Sequence, residues 1–382
     1  MSLELRTYKN STELANLNGV PLYMNDMVDA CLRGQLNLFL QGDTGSGKTQ
    51  LAKDVMANFG DDRSIFILGR NDMDSRALFT QLSIGRLYNK PENVPQISVN
   101  PDTGEIKCYY KVFDDNDFLI KEVNPEQTAM IRKELDKWAG TTQDITELTQ
   151  KINANLIVVD ELPNCVPEVR GQLFNLFDGY IEINGKIYSL GKGYSVGIAT
   201  GNVGQQFTES NNDLGRALKD RMHVIIDTDY FRPQPIDDFD ILTQNTDPRV
   251  RIYPTLENKA LDAIEKYHKL KSSEIPFDKL IVLQYLIHGL DYLGEGISKI
   301  AMKSGWPNKV SQHGQGSDEA LILPVSKRAA KSIITLSQAL DEITREKGTP
   351  ELNYFDSMMT AFRFVSAYSG VLNEAAVRSN YN

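Results

Sequence analysis

The sequence predicts an α/β fold, a parallel sheet wrapped by helices, followed by an all-helical region. Three observations carry this. Five short apolar runs, at Leu36–Gln41 (LNLFLQ), Ser64–Gly69, Asn155–Asp160, Ser195–Thr200 and His223–Asp227, read as buried strands because they lack the polar alternation of a half-exposed sheet. Helical patterns at Thr49–Phe59, Asp74–Leu87, Thr128–Trp138 and Val166–Asp178 fall among them, and strands alternating with helices imply parallel pairing. From Leu256 onward the chain reads as amphipathic helices with no strand pattern.

Two hairpins interrupt the alternation. In GYIEINGKIYSL, Gly179 to Leu190, Asn184-Gly185 sits between alternating segments as a tight two-residue turn requires. The second runs from Ile97 to Val112, turning at Pro101, Asp102 and Gly104. Phe231-Arg232-Pro233-Gln234-Pro235 stops the pattern, which places a domain boundary between an α/β unit, 1–231, and a helical unit, 232–382. Lys303 to Glu319 reads as a long Gly, Ser and Asn loop.

Composition narrows the function classes. At 382 residues the chain can bury a large core, and 41% hydrophobic with 24% charged residues excludes disordered and disulfide-scaffold classes. The net charge of -10 disfavours a surface built to wrap nucleic acid. Cys31, Cys108 and Cys165 are odd in number and widely spaced, so neither a disulfide framework nor a zinc site is expected, and a reducing, cytoplasmic compartment fits. No stretch approaches the roughly 18 apolar residues of a membrane span, and no export signal is read at the start.

The chemistry begins at Gly42-Asp43-Thr44-Gly45-Ser46-Gly47-Lys48-Thr49, a GxxxxGK[ST] match standing between a strand and a helix. Gly45 and Gly47 let successive amides turn toward phosphates at the positive end of the following helix. Lys48 is expected on the β- and γ-phosphates of ATP and the Thr49 hydroxyl on Mg2+. Asp160 and Glu161 close a second core strand, where ligands bind in open α/β sheets. Asp160 is assigned to the metal and Glu161 to the attacking water. A catalytic Glu directly after the metal Asp favours a motor-type ATPase over kinases and GTPases.

Asn202 ends the next strand and is the candidate for holding that water, an ordinary turn Asn being the plain alternative. Arg216 and Arg221 precede the HVIID strand and are candidates for stabilising charge on a neighbouring subunit's nucleotide, against the alternative of surface ion pairs. Arg328 opens a helix where a cation gains nothing from the helix dipole, which suggests an anionic ligand.

Together these residues resemble the MoxR-type AAA+ ATPases of the clade with a helix-2 insert and a hairpin before sensor 1. GDTGSGKT is similar to Walker A, LIVVDE to Walker B and ATGN to sensor 1, with Asn202 at the sensor position. The resemblance implies an AAA+ core with inserted hairpins and a helical lid, a helix-2 insert at about 88–127 and a pre-sensor-1 hairpin at about 179–190. It implies nucleotide contacts from Gly42 through Thr49 and on to Gln50. LGRALKDRM matches the segment that carries the arginine finger, with Arg221 at the finger position and Arg216 where relatives often have Glu. SKRAA is similar to sensor 2, whose Arg328 would reach the γ-phosphate from the lid.

The resemblance further implies a homo-oligomer, a hexameric ring with each ATP at an interface, acting as a chaperone that remodels, assembles or activates a protein partner. A nucleic-acid motor on the same fold is the first alternative, and the acidic balance speaks against it. A scaffold that only switches shape on binding ATP is the second, and Glu161 speaks against that.

Overall fold

The computed structural model describes residues 3, 5, 8–69, 79–82, 95–99, 106–114, 117–123, 146–165, 167–183, 186–202, 220–231, 233–244, 259–289, 325–348 and 352–366. The chain divides into two compact units, one of Met1–Ser75, Lys151–Glu182 and Ile187–Asn382, the other of Arg76–Gln150 and Ile183–Lys186.

A short hairpin of β1 (Ala15–Leu17) and β2 (Val20–Leu22) leads into helix α1 (Met24–Gly34). Strand β3 (Leu38–Gln41), helix α2 (Lys48–Phe59) and strand β4 (Ser64–Leu68) follow. Then come β5 (Thr80–Leu82), β6 (Pro95–Val99), β7 (Ile106–Asp114), β8 (Asp117–Val123) and β9 (Thr146–Leu148). The chain returns with β10 (Leu156–Asp160), α3 (Pro167–Phe177), the paired strands β11 (Tyr180–Ile183) and β12 (Lys186–Ser189), β13 (Val196–Gly201) and β14 (Val224–Asp227). Helices α4 (Pro235–Gln244), α5 (Ala260–Ser272), α6 (Phe277–His288), α7 (Lys327–Glu346) and α8 (Tyr354–Ser366) complete it.

The five strands expected from the apolar runs form one parallel sheet in the order β14-β3-β13-β10-β4. Strands β3, β10 and β13 are buried along their whole length, which is why their sequences are continuous apolar runs. The order has a direct consequence for function. β13 lies between the strand that ends at Gln41 and the strand that ends at Asp160, so three carboxyl ends meet side by side at the switch in strand order.

In the second unit β6, β7 and β8 form an antiparallel sheet, with Val99 opposite Ile106 and Asp114 opposite Asp117. The expected hairpin at Ile97–Val112 is thus present, extended by a third strand that alternation did not separate from its turn. β5 pairs antiparallel with β9. Thr80–Leu82 is therefore a strand inside a span read as the helix Asp74–Leu87, a case of pairing with a partner strand far along the chain overriding local periodicity. The expected helix at Thr128–Trp138, the loop from Lys303 to Glu319, Arg216 and the turn residues Asn184-Gly185 lie outside the described residues.

The C-terminal helices follow the amphipathic reading. α7 buries Ala329, Ala330, Ile333, Ile334, Leu336, Leu340 and Ile343, an i, i+3, i+4 stripe, and Ser326 caps it by accepting from the Ala329 N–H at 3.0 Å. α7 is tied to α1 by Arg33, which is fully buried and donates to Asp29 Oδ2 at 2.8 Å and Glu346 Oε2 at 2.7 Å. The hydrogen bond from Arg33 holds the Glu346 carboxyl at about 2, well below its usual range. No helix among the described residues is long and apolar enough to cross a membrane.

Candidate functional site

At the carboxyl end of β3 the backbone must turn at once into the loop that opens α2. Gly42 makes that turn with φ 147°, and a side chain there would collide with Thr228 Oγ1 and come within 2.8 Å of Asp229 Oδ1. Those two residues follow β14, the neighbour of β3, and hold the loop in place. Thr228 Oγ1 donates to the Gln41 carbonyl at 2.8 Å and lies 2.7 Å from Ser46 Oγ. The Asp43 N–H donates to both oxygens of Asp229, at 2.8 and 2.9 Å.

Lys48 begins α2 and folds back over the loop, its Nζ donating to the carbonyls of Gly42 at 2.9 Å and Asp43 at 2.6 Å. Burial lowers its affinity for the proton, while Asp229, Asp43, Asp160 and Glu161 pull it back up. Thr44 takes a backbone bond to Asp43 Oδ1 at 2.6 Å, and Gln50, a turn into α2, donates to Asp54 Oδ1 at 2.9 Å.

Beside the loop, Asp160 ends β10 almost fully buried. Thr49 Oγ1 donates to its Oδ1 at 2.8 Å, and Thr200 Oγ1 from β13 donates to the same oxygen. The Thr200 hydroxyl in turn accepts from the Glu161 N–H at 3.1 Å. Glu161 is exposed and left-handed, with φ 56° and ψ 41°, a conformation that costs a non-glycine residue about 1 kcal/mol and is sustained by its surroundings. Its Oε2 accepts from Asn164 Nδ2 at 2.9 Å, so the carboxylate is aimed by the turn that follows it. Asn202, just past β13, donates from Nδ2 to Thr44 Oγ1 at 3.3 Å.

The loop, Thr49, Asp160, Glu161 and Asn202 are therefore brought together as their motifs suggested. A hydroxyl and a carboxylate converging at 2.8 Å are hard oxygen donors suited to magnesium, which keeps most of its positions for water and phosphate. Among the described residues no group of three or more His, Cys, Asp or Glu side chains could hold a metal.

The two described arginines lie elsewhere. Arg221 donates from Nε to Asp178 Oδ2 at 2.9 Å and rests over the Phe174 ring. Arg328, at the start of α7, pairs with Asp220 Oδ2 at 3.2 Å and approaches Asp178 Oδ1 at 3.8 Å. Ser326, the cap of α7, donates to the other oxygen of Asp220 at 2.8 Å.

Asn37 fixes where this cluster stands. It immediately precedes β3, and its Nδ2 donates to the Arg221 carbonyl at 3.0 Å while its N–H donates to His223 Nδ1 at 2.8 Å. Arg221 and Arg328 are thus at the amino ends of the strands, and the loop is at the carboxyl ends. The four residues of β3 separate them by about 13 Å along the strand. Arg328 does not stand over its own chain's Lys48.

Thr200, Asn164, Thr228 and Asp229 belong to the site and were not singled out by sequence. Thr200 sits inside the quoted ATGN motif. The pair Thr228-Asp229 follows the strand that proves adjacent to β3, but strand order is not written in any one strand.

Residues 37–222 match the family described as AAA domain (dynein-related subfamily). Among curated proteins none matches the chain in sequence. A solved structure from Cytophaga hutchinsonii ATCC 33406, described as a "putative ATPase", is similar over 93% of this chain and 84% of its own, with TM-score 0.51 and 15% sequence identity. At that identity the likeness speaks for the fold. Residues 37–222 are thus similar to an AAA domain, and the likeness in fold rests on a five-stranded parallel sheet followed by a helical C-terminal region.

Proposed function

We propose that this chain binds ATP with magnesium and hydrolyses it as one subunit of a ring-forming motor of the MoxR type, which remodels or activates a protein partner. The observation that carries the reading is the separation of two half-sites. The loop with Asp160, Glu161 and Asn202 lies at one end of the sheet, and Arg221 with Arg328 at the other. An arginine at the end of the sheet away from its own loop is well placed to serve a neighbour's nucleotide.

In this reading the amides of Gly45 to Thr49 and the Lys48 ammonium bind the phosphates, Lys48 exchanging the Gly42 and Asp43 carbonyls for phosphate oxygens. Thr49 and Asp160 hold magnesium, which neutralises charge on those oxygens. Glu161 orients the attacking water and takes its proton, and Asn202 steadies that water from the neighbouring strand. Arg221 and Arg328 then act in trans on charge that develops at the next subunit. Arg328 is 39% exposed and Arg221 20%, so both guanidinium groups are reachable.

Ile236, Phe239 and Leu242 on α4 stand exposed, apolar surface of the kind that assembly covers. The net charge of -10 supports a protein rather than a nucleic acid as partner. The boundary at 231/232 is proposed as the hinge of a helical lid, and the strands of 95–123 with the hairpin at 180–189 as the surfaces that work on the partner.

The test is complementation between two inactive variants. Arg221→Ala and Lys48→Ala should each lose turnover, and mixing them should restore part of it, because some interfaces then pair an intact arginine with an intact loop. No recovery at any mixing ratio would count against action between subunits. Glu161→Gln should keep ATP binding, lose turnover by about a hundredfold or more, and retain the protein partner for identification by pull-down. Undiminished turnover in that variant would sink the role given to Glu161.

A further inference from the structure

A second lysine touches the phosphate-binding loop. Lys9 lies in the short turn Tyr8–Ser11, is fully buried, and donates from Nζ to the Ser46 carbonyl. It also packs against the next residue so closely that a Cβ on Gly47 would stand 3.1 Å from its Nζ. The charges of Lys48, Asp229 and Asp54 of α2 all act on its ammonium.

The Ser46–Gly47 peptide is planar and trans, so its carbonyl and its N–H point in opposite directions. A cation that fixes the carbonyl on the outer side of the loop aims the Gly47 N–H toward the side where such loops take phosphate. We propose that Lys9 is a positioning residue of the nucleotide site, holding the Ser46–Gly47 peptide in its phosphate-binding orientation and supplying a second buried positive charge behind Lys48. This rests on the reading of the loop as an ATP site.

Neighbouring charges agree with the assignment. Burial first, and then the Lys48 ammonium, lower Lys9 to about 8, while Asp229 and Asp54 pull the other way. A polyphosphate arriving on the loop favours the charged form of both lysines. Nucleotide binding near pH 8 therefore takes up protons, with Lys9 contributing to the uptake.

The experiment titrates the full chain with a fluorescent ADP analogue and magnesium, and repeats the titration by calorimetry at pH 8 in buffers of different ionisation heat. Lys9→Met should bind about tenfold more weakly than wild type, since a charge-assisted hydrogen bond is lost, and should take up less proton, since the titrating ammonium is gone. Lys9→Gln keeps a donor for the Ser46 carbonyl without the charge, so it should fold even where Lys9→Met does not. It too should take up less proton than wild type. Variants that match wild type in affinity and proton uptake overturn the role of Lys9 while leaving the site intact. A wild-type chain that binds no nucleotide overturns the ATP reading, and this inference with it.

Discussion

Glu161 shows how single hydroxyl and amide groups set up this site. Its left-handed backbone swings the carboxylate out of line with β10 and toward Asn164, and its amide ends on Thr200 Oγ1. Thr200 thus links the Asp160 carboxylate to the Glu161 backbone. Thr200→Val keeps the shape and removes both bonds, leaving the Glu161 N–H unpaired and Asp160 short of a donor. The expected outcome is a loss of about 1–3 kcal/mol in stability by urea denaturation, with turnover falling more than nucleotide affinity. Equal stability and turnover would show that the hydroxyl is incidental. The two carboxylates were legible because GxxxxGK[ST] fixed what a second acidic strand end must mean. Thr200 was not, since a threonine in a strand is ordinary until the register sets Val159 opposite Ala199 and brings the two ends level.

Among the elements, the five central strands were readable to within two residues because burial on both faces leaves continuous apolar runs. β1, β2, β5 and β9 were missed, being three residues long each, and α1 and β8 were missed as well. Strand β14 carries a consequence of its own at its amino end. His223 Nδ1 accepts from the Asn37 N–H, which requires the unprotonated ring. Burial lowers it to about 4, Arg328 pushing it further down and Asp220 and Asp178 opposing.

The sign follows from which state binds the proton. Below about 6.5 the unfolded chain protonates this histidine while the folded chain does not, so stability falls as pH drops from about 6.5 toward about 4. The expected slope between pH 6.5 and 5 is about 1 kcal/mol per pH unit, and His223→Gln should flatten it. An unchanged slope in that variant, measured by denaturant unfolding, would assign the pH dependence elsewhere. Glu346 behaves as a depressed carboxylate, contributing stability above its unfolded range that is lost only toward pH 2.

At the scale of the molecule, the sequence conveyed the α/β core and the helices after it, while the placement of Arg328 required coordinates. A motif that opens a helix says nothing about which end of a sheet the helix starts from. Ser326 and Asp220 settle that, through a 2.8 Å bond that anchors α7 beside His223 and Arg221. The Arg33–Asp29–Glu346 network then ties the far end of the same helix to α1. Removing Arg33 would take its ion pair away from the buried Asp29, which is costly by about 3–5 kcal/mol.

Asp178 and Asp220 have a further consequence. In the isolated chain they occupy both arginines, so an arginine that turns to a neighbour's phosphate must first give up a carboxylate. On the proposed ring assembly, each contact between subunits would be an exchange of one anion for another, with a small net gain that depends on what the neighbour holds. Turnover per subunit should accordingly fall as the protein is diluted, and fall sooner at high salt, while the nucleotide bound per subunit stays constant. Turnover that is independent of protein concentration down to the nanomolar range would mean that one chain is sufficient. If it is not, the working unit is an interface, and the amount of protein in the cell sets how many such interfaces exist.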